Sequence, residues 1–193
     1  RRVLFRSPGA NDNASGVAVL LGVAEALSRS QLRLKRSIVF VGWGGTEQGN
    51  RGVESYLEQP LIPRKKTAFY LNLDEVGVGD QLKVAGAVDY PRLWKYFERQ
   101  RAGRTKLKVA LENLIDRGWP RRDALFFKKK KIPAFDFQAV GAESFIHTTK
   151  DKPETLTPET MVQLVGWLSF ALQEAANAET LLPEKREKGS RGS

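Results

Sequence analysis

The stretch Pro8-Gly9-Ala10-Asn11-Asp12-Asn13-Ala14-Ser15-Gly16 gathers small residues, amide side chains and one carboxylate directly ahead of an apolar pattern. Val17, Leu20, Leu21, Ala24 and Leu27 then recur at helical spacing, which predicts an amphipathic helix with that set as its buried face. Asn13 or a neighbour would cap it, because short amide and carboxylate side chains accept the unpaired N–H groups of a first turn. Asp12 would sit in the loop just before the helix, a hard oxygen donor within reach of a metal. Asn and Asp before a helix serve equally well as caps alone. The choice depends on what the rest of the chain brings to this loop.

Working outward, Arg36-Ser37-Ile38-Val39-Phe40-Val41-Gly42-Trp43 is a nearly unbroken apolar run rich in β-branched residues, and it predicts a buried parallel strand. Gly44-Gly45-Thr46-Glu47-Gln48-Gly49 follows as a turn, and Val53 to Gln59 predicts a short helix ended before Pro60. That order puts Glu47 near the carboxyl end of a strand, where open α/β sheets gather ligands. Thr67 to Leu73 is the next predicted strand, with Asp74 at its end ahead of the glycine-rich Val76-Gly77-Val78-Gly79. Strands are also predicted over Gln81–Val88, around Leu107–Ala110 and over Ile132–Phe137. Helices are predicted over Leu93–Arg101, with Trp94 and Phe97 on one face, and over Asp123–Lys131. The loop Gly141–Phe145 leads into Ile146-His147-Thr148-Thr149-Lys150-Asp151. Thr157-Pro158 opens the last helix, whose apolar face is Met161, Leu164, Val165, Leu168 and Leu172. This alternation predicts an α/β fold: a three-layer α/β/α sandwich on a mainly parallel, mixed sheet.

The chain has 193 residues, 41% hydrophobic and 28% charged, enough for one α/β domain with a real core. No apolar run approaches the ~20 residues of a membrane span. With no Cys and a single His, a cysteine zinc site is excluded and any metal centre must lean on carboxylates. The formal charge of +10 is spread over several segments, among them Arg64-Lys65-Lys66 and Lys128-Lys129-Lys130-Lys131. No aromatic-basic recognition motif accompanies these runs, so no specific nucleic-acid partner is expected; solvated loops and helix ends account for them. Arg1-Arg2-Val3-Leu4-Phe5-Arg6-Ser7 matches the translated end of a common sequencing-library adapter, so residues 1–7 are expected to be a leader and the natural domain to run over 8–176. Residues 177–193, charged and rich in Gly and Ser beyond Pro183, are expected to form a disordered tail.

The opening nonapeptide resembles the metal-binding loop of the co-catalytic zinc aminopeptidases, metallopeptidase family twenty-eight, whose usual form is P-G-A-D-D-N-A-S-G. Asn11 replaces the first Asp of the pair, and Asp12 falls on the second. An E-x-G turn, N-L-D at a strand end and I-H-T-T-x-D follow in that family's order. The resemblance implies two zinc ions bridged by Asp12, one also held by Asp74 and the other by Glu47 and His147. It implies a peptide as substrate, aminopeptidase chemistry, and a secreted or periplasmic location. Three departures accompany it. The upstream H-x-D segment that completes the first zinc site in the family is missing here. The general base, the first Glu of the family's E-E-x-G, is replaced by Thr46, whose hydroxyl cannot hold a proton taken from water near neutral pH. Arg122-Asp123-Ala124 stands where many relatives have S-D-H. A family member that kept the fold and some metal ligands but lost hydrolysis is therefore the alternative, and a basic module that binds nucleic acid is the lesser one. Glu75 is expected to face away from the site, on the rule that adjacent strand residues point to opposite faces. Trp119 falls where some relatives hold a substrate carbonyl with Tyr, and its indole N–H is a candidate donor for that role.

Overall fold

The computed structural model describes residues 7–116, 122–141 and 144–181. The nine regular elements among them are α1 (Gly16–Arg29), α2 (Arg51–Glu58), β1 (Tyr70–Leu73), β2 (Gln81–Ala85), α3 (Pro91–Arg101), β3 (Lys108–Glu112), α4 (Asp123–Lys129), β4 (Ala134–Ala139) and α5 (Pro158–Asn177). The sheet has the order β1-β4-β2-β3. β1 runs parallel to β4, with Asn72 opposite Asp136, and β2 runs parallel to β3 but antiparallel to β4. The expected mixed sheet is thus present.

Two apolar cores, one on each face of the sheet, make the three layers. On one face Val19 and Val23 of α1, Trp94 and Phe97 of α3, and Leu164, Trp167 and Leu168 of α5 close over Phe135 and Phe137. On the other, Val53 and Leu57 of α2 and Leu125, Phe126 and Phe127 of α4 pack on Ala85 and Ala134. The β4 burial follows from this: it is covered on both sides, so nearly every residue of Ala134–Ala139 is buried, Asp136 included. No helix among the described residues is long and apolar enough to cross a membrane.

Three expectations need correction. Residues 36–43 form no ladder; Val39 is 54% exposed. Residues 38–43 and β1 line the same cavity of about 1090 Å³ without exchanging sheet hydrogen bonds. A strand-like composition makes a strand only where a neighbour offers backbone partners, and no described strand exchanges ladder hydrogen bonds with this run. In α1 the buried stripe is Val19 and Val23, with Leu27 beside it, whereas Val17 and Leu21 are 52% and 61% exposed. The set at i, i+4 and i+8 packs into the core with α5 and the sheet; Val17 and Leu20 line the cavity, which Val23 also reaches. Residues 177–181, expected in the tail, make contacts of their own. Arg36 donates to the carbonyls of Ala176, Ala178 and Glu179, and the Tyr96 hydroxyl donates to Thr180 O, so residues 177–181 are docked. The remainder of the tail, the leader up to Arg6, and Trp119 lie outside the described residues.

Candidate metal centre

The loop at Pro8–Gly16 is held at the carboxyl ends of the parallel pair β1 and β4, and three of its side chains do the holding. The Asn11 Oδ1 accepts from Gly77 N at 2.8 Å. Asn13 donates from Nδ2 to Leu73 O at 2.9 Å, while its Oδ1 accepts from Gly16 N and Glu75 N, both at 3.1 Å. Ser15 Oγ donates to Asn11 O and accepts from Val76 N. The N-cap of α1 is Ser15, without a capping bond from its side chain, while Asn13 accepts from the first helical N–H and ties the start of α1 to the end of β1. Two glycines permit so close an approach. A Cβ on Gly16 would collide with Asn13 Oδ1 and Leu73 O, and one on Gly77 would lie 2.6 Å from Ser15 Cβ.

From the other side Asp151, fully buried, accepts from the backbone N–H groups of Asn11 at 2.7 Å and Asp12 at 3.0 Å. The Asp12 carboxylate is thereby aimed at His147 and Glu47. His147 Nε2 lies 2.8 Å from Asp12 Oδ2 and 3.3 Å from Glu47 Oε1. These donors come from the loop before α1, the 3₁₀ turn Thr46–Gln48 and the turn after β4. Asp74 follows β1 directly, and ligand oxygens of Asp12, Asp74 and Glu75 lie within 4.8 Å of one another. The four residues expected as ligands, Asp12, Glu47, Asp74 and His147, therefore belong to two overlapping clusters that share Asp12. Thr46 lines the same cavity.

Glu75 is a correction. Its φ of 53° is left-handed, so strand alternation stops at Leu73 and the Glu75 side chain turns to the same side as Asp74. A hydrogen-bonded chain then supports it. Gln138 Nε2 donates to Glu75 Oε2 at 2.9 Å, Arg122 donates to Gln138 Oε1 at 3.0 Å and to Asp136 Oδ2 at 2.7 Å, and Asn72 Nδ2 donates to Asp136 Oδ1 at 2.8 Å. Tyr70 and Trp43 continue the chain, the hydroxyl donating to Asn72 Oδ1 and the indole N–H to the hydroxyl. Neither this network nor the role of Asp151 was legible in the sequence, although Asp151 closes the I-H-T-T-K-D stretch and Arg122 and Asp123 occupy the altered S-D-H position.

Electrostatics favour a cation here. Burial pushes the Asp74 carboxyl well above its usual range, and Asp136, Glu75 and Asp12 push it further. Asp12 is raised by burial, with the His147 imidazole opposing and Glu47 and Asp151 adding. Glu75 is raised by burial, with the Gln138 hydrogen bond opposing. Enclosed carboxylates without enough positive partners are costly, and a divalent ion among them offsets that cost.

The sequence model of Peptidase family M28 matches residues 3–171. The chain belongs to peptidase family M28. It is 36% identical to the alkaline phosphatase isozyme conversion protein of Escherichia coli K12 over 143 residues, 69% of this chain and 41% of that protein. The aminopeptidase from Aneurinibacillus sp. strain AM-1 superposes with a TM-score of 0.74 at 27% identity, over 93% of this chain and 42% of that one. BSAP, a zinc aminopeptidase from Bacillus subtilis, does so with a TM-score of 0.74 at 26% identity, over 90% and 44%. The M28 chain described here thus spans about two fifths of the length of these relatives.

The residues present fit zinc. Asp12, Glu47 and His147 supply two carboxylates and one imidazole, a proper zinc donor set. Ligands about 2.0–2.1 Å from a tetrahedral ion stand roughly 3.3 Å apart. The 2.8 and 3.3 Å separations are close to that spacing.

Proposed function

We propose that this M28 chain carries the centre of a zinc-dependent exopeptidase of the aminopeptidase type, acting on peptides. The observation that supports it is the convergence of Asp12, Glu47 and His147 from three distant segments. In this reading Asp12, Glu47 and His147 would hold one ion, and Asp12 together with Asp74 would help to hold a second. Zinc, when bound, supplies a Lewis acid for the scissile carbonyl and lowers the pKa of water. The chain's own residues hold and orient: Asp151 and Asn13 fix the Asp12 loop, and the cavity beside it takes the substrate.

Thr46 favours a second reading, an M28 scaffold that keeps its ligands without hydrolysis. Its hydroxyl accepts no proton from water near neutral pH, which removes a contribution of about 10²–10⁴ in rate. Zinc content measured together with hydrolysis of aminoacyl-nitroanilides separates the two. Asp12→Ala is expected to abolish zinc loading, and unchanged zinc content would contradict its role as a ligand. Thr46→Glu is expected to raise turnover by about 10²-fold or more. Bound zinc with turnover only in the variant would establish the scaffold reading.

A further inference from the structure

We propose that the end of the sheet remote from the metal centre is a docking surface for a membrane of anionic lipids. The cations around the cavity of about 590 Å³ take the lipid phosphates, and the exposed Leu61 enters the acyl layer beside them.

Two connections build this surface. Arg64 and Lys65 come from the 3₁₀ turn between α2 and β1, and Lys130 and Lys131 from the turn between α4 and β4. The β1–β4 ladder sets these turns side by side, and Tyr70 N donates to Pro133 O at 2.9 Å where the ladder begins. Leu93, Ile132 and Pro133 give the cavity between them an apolar floor. Solvation of a helix end accounts for Lys128 and Lys129, which pair with Asp89 at 2.9 Å and Asp116 at 3.0 Å. It does not account for the other four. Arg64, Lys65, Lys130 and Lys131 have no carboxylate partner among the described residues, so like charges surround one cavity and attract anions to it.

Cations alone suit any polyanion, and Leu61 selects among them. It is 92% exposed, the most exposed large apolar side chain described, on a segment bracketed by Pro60 and Pro63 just ahead of Arg64. The proline rings stiffen that segment, so an aliphatic tip is held in water beside the cationic cluster. The boundary of an anionic bilayer matches this pattern: the tip leaves water while ammonium and guanidinium groups stay at the phosphates. A soluble acidic chain offers Leu61 no such layer. Lys131 adds a second sign. It has a φ of 65° just past the end of α4, where Ile132 N donates to Phe127 O at 3.1 Å, and glycine is the usual residue at such a helix end. A charge is kept there against the preference of the backbone. Docked by this end, the chain turns its metal-centre carboxylates, roughly 20 Å away along β1 at ~3.3 Å per residue, toward the aqueous side.

The test is co-sedimentation of the 193-residue chain with vesicles of phosphatidylcholine alone or mixed with an equal part of phosphatidylglycerol. Binding is expected to the mixed vesicles only, with release as salt rises. Lys131→Gly removes one cation and suits the left-handed backbone, so it is expected to weaken vesicle binding about fivefold while its melting midpoint holds or rises. Leu61→Ser is expected to weaken vesicle binding about tenfold, and circular dichroism confirms that it is folded. Lys106 serves as the control. It is exposed before β3, at the opposite end of the sheet because β3 runs with β2 and against β4. Lys106→Ala changes the net charge as Lys131→Gly does and is expected to leave vesicle binding unaltered. The proposal is overturned if the mixed vesicles are not bound, if Leu61→Ser binds them as well as the unmodified chain, or if Lys106→Ala loses as much binding as Lys131→Gly. Polyglutamate or polyphosphate held more tightly than the mixed vesicles would assign the cluster to a soluble polyanion and overturn it as well.

Discussion

Asp151 is the side chain on which the position of Asp12 depends. It is fully buried and makes charge-assisted hydrogen bonds to two consecutive backbone amides of the metal loop. Asp151→Ala leaves both amides buried without an acceptor and is expected to destabilise the metal-free chain by about 3 kcal/mol or more. Asp151→Asn keeps one acceptor oxygen and should cost less. Urea denaturation midpoints check both, and zinc affinity is expected to fall in the same order. Asn11 shows the complementary logic. Its Oδ1 anchors Gly77, while its buried Nδ2 has no partner among the described residues. An amide there supplies the acceptor without adding a second charge beside Asp12 and Asp151.

Among the elements, α5 and β4 carry the larger core. Trp167 is fully buried, lies edge-on to Trp94 and Phe137 with centroids 5.9 and 5.8 Å away, and donates its indole N–H to Phe97 O at 2.7 Å. Trp167→Ala is expected to cost about 3–5 kcal/mol, read from the same denaturation midpoints. Residues 38–41 behave oppositely. Without ladder partners their amides are expected to exchange with solvent orders of magnitude faster than those of Ala134–Ala139, which hydrogen-exchange mass spectrometry measures directly. Protection of residues 38–41 equal to that of β4 would contradict their place outside the sheet.

At the scale of the whole molecule, charge is segregated. The basic runs meet at the end of the sheet where β1 and β4 begin: Arg64, Lys65, Lys130 and Lys131 line a separate cavity of about 590 Å³. The carboxylates collect at the other end of those strands. Asp12, Asp74, Glu75, Asp123 and Asp136 are each raised chiefly by burial above ordinary values of 3.8 to 4.5. A raised carboxyl binds more protons in the folded state than in the unfolded one, so stability falls as pH rises from the unfolded value through the folded one. The metal-free chain is therefore expected to gain stability on acidification from neutral pH toward about pH 5. A saturating divalent ion is expected to reverse that trend, because protons then compete with the metal. Thermal melts across pH, with and without metal, test the pair of signs.

The sequence by itself determined where most elements lie and which donor types are available. Helical and strand periodicities are local, so α2, α3, α4 and α5 and the four strands fall close to where residue spacing puts them, and Asp12, Glu47, Asp74 and His147 stand at the turns that collect ligands. Only the tertiary structure decided which donors come together and which apolar run enters the sheet. Ladder hydrogen bonds need a partner distant in sequence, so Ile38–Val41 reads as a strand but does not become one. The direction of Glu75 depends on one left-handed φ, and the aim of Asp12 on a carboxylate some 140 residues away. A backbone twist and a long-range hydrogen bond leave no periodic trace in a chain of residues.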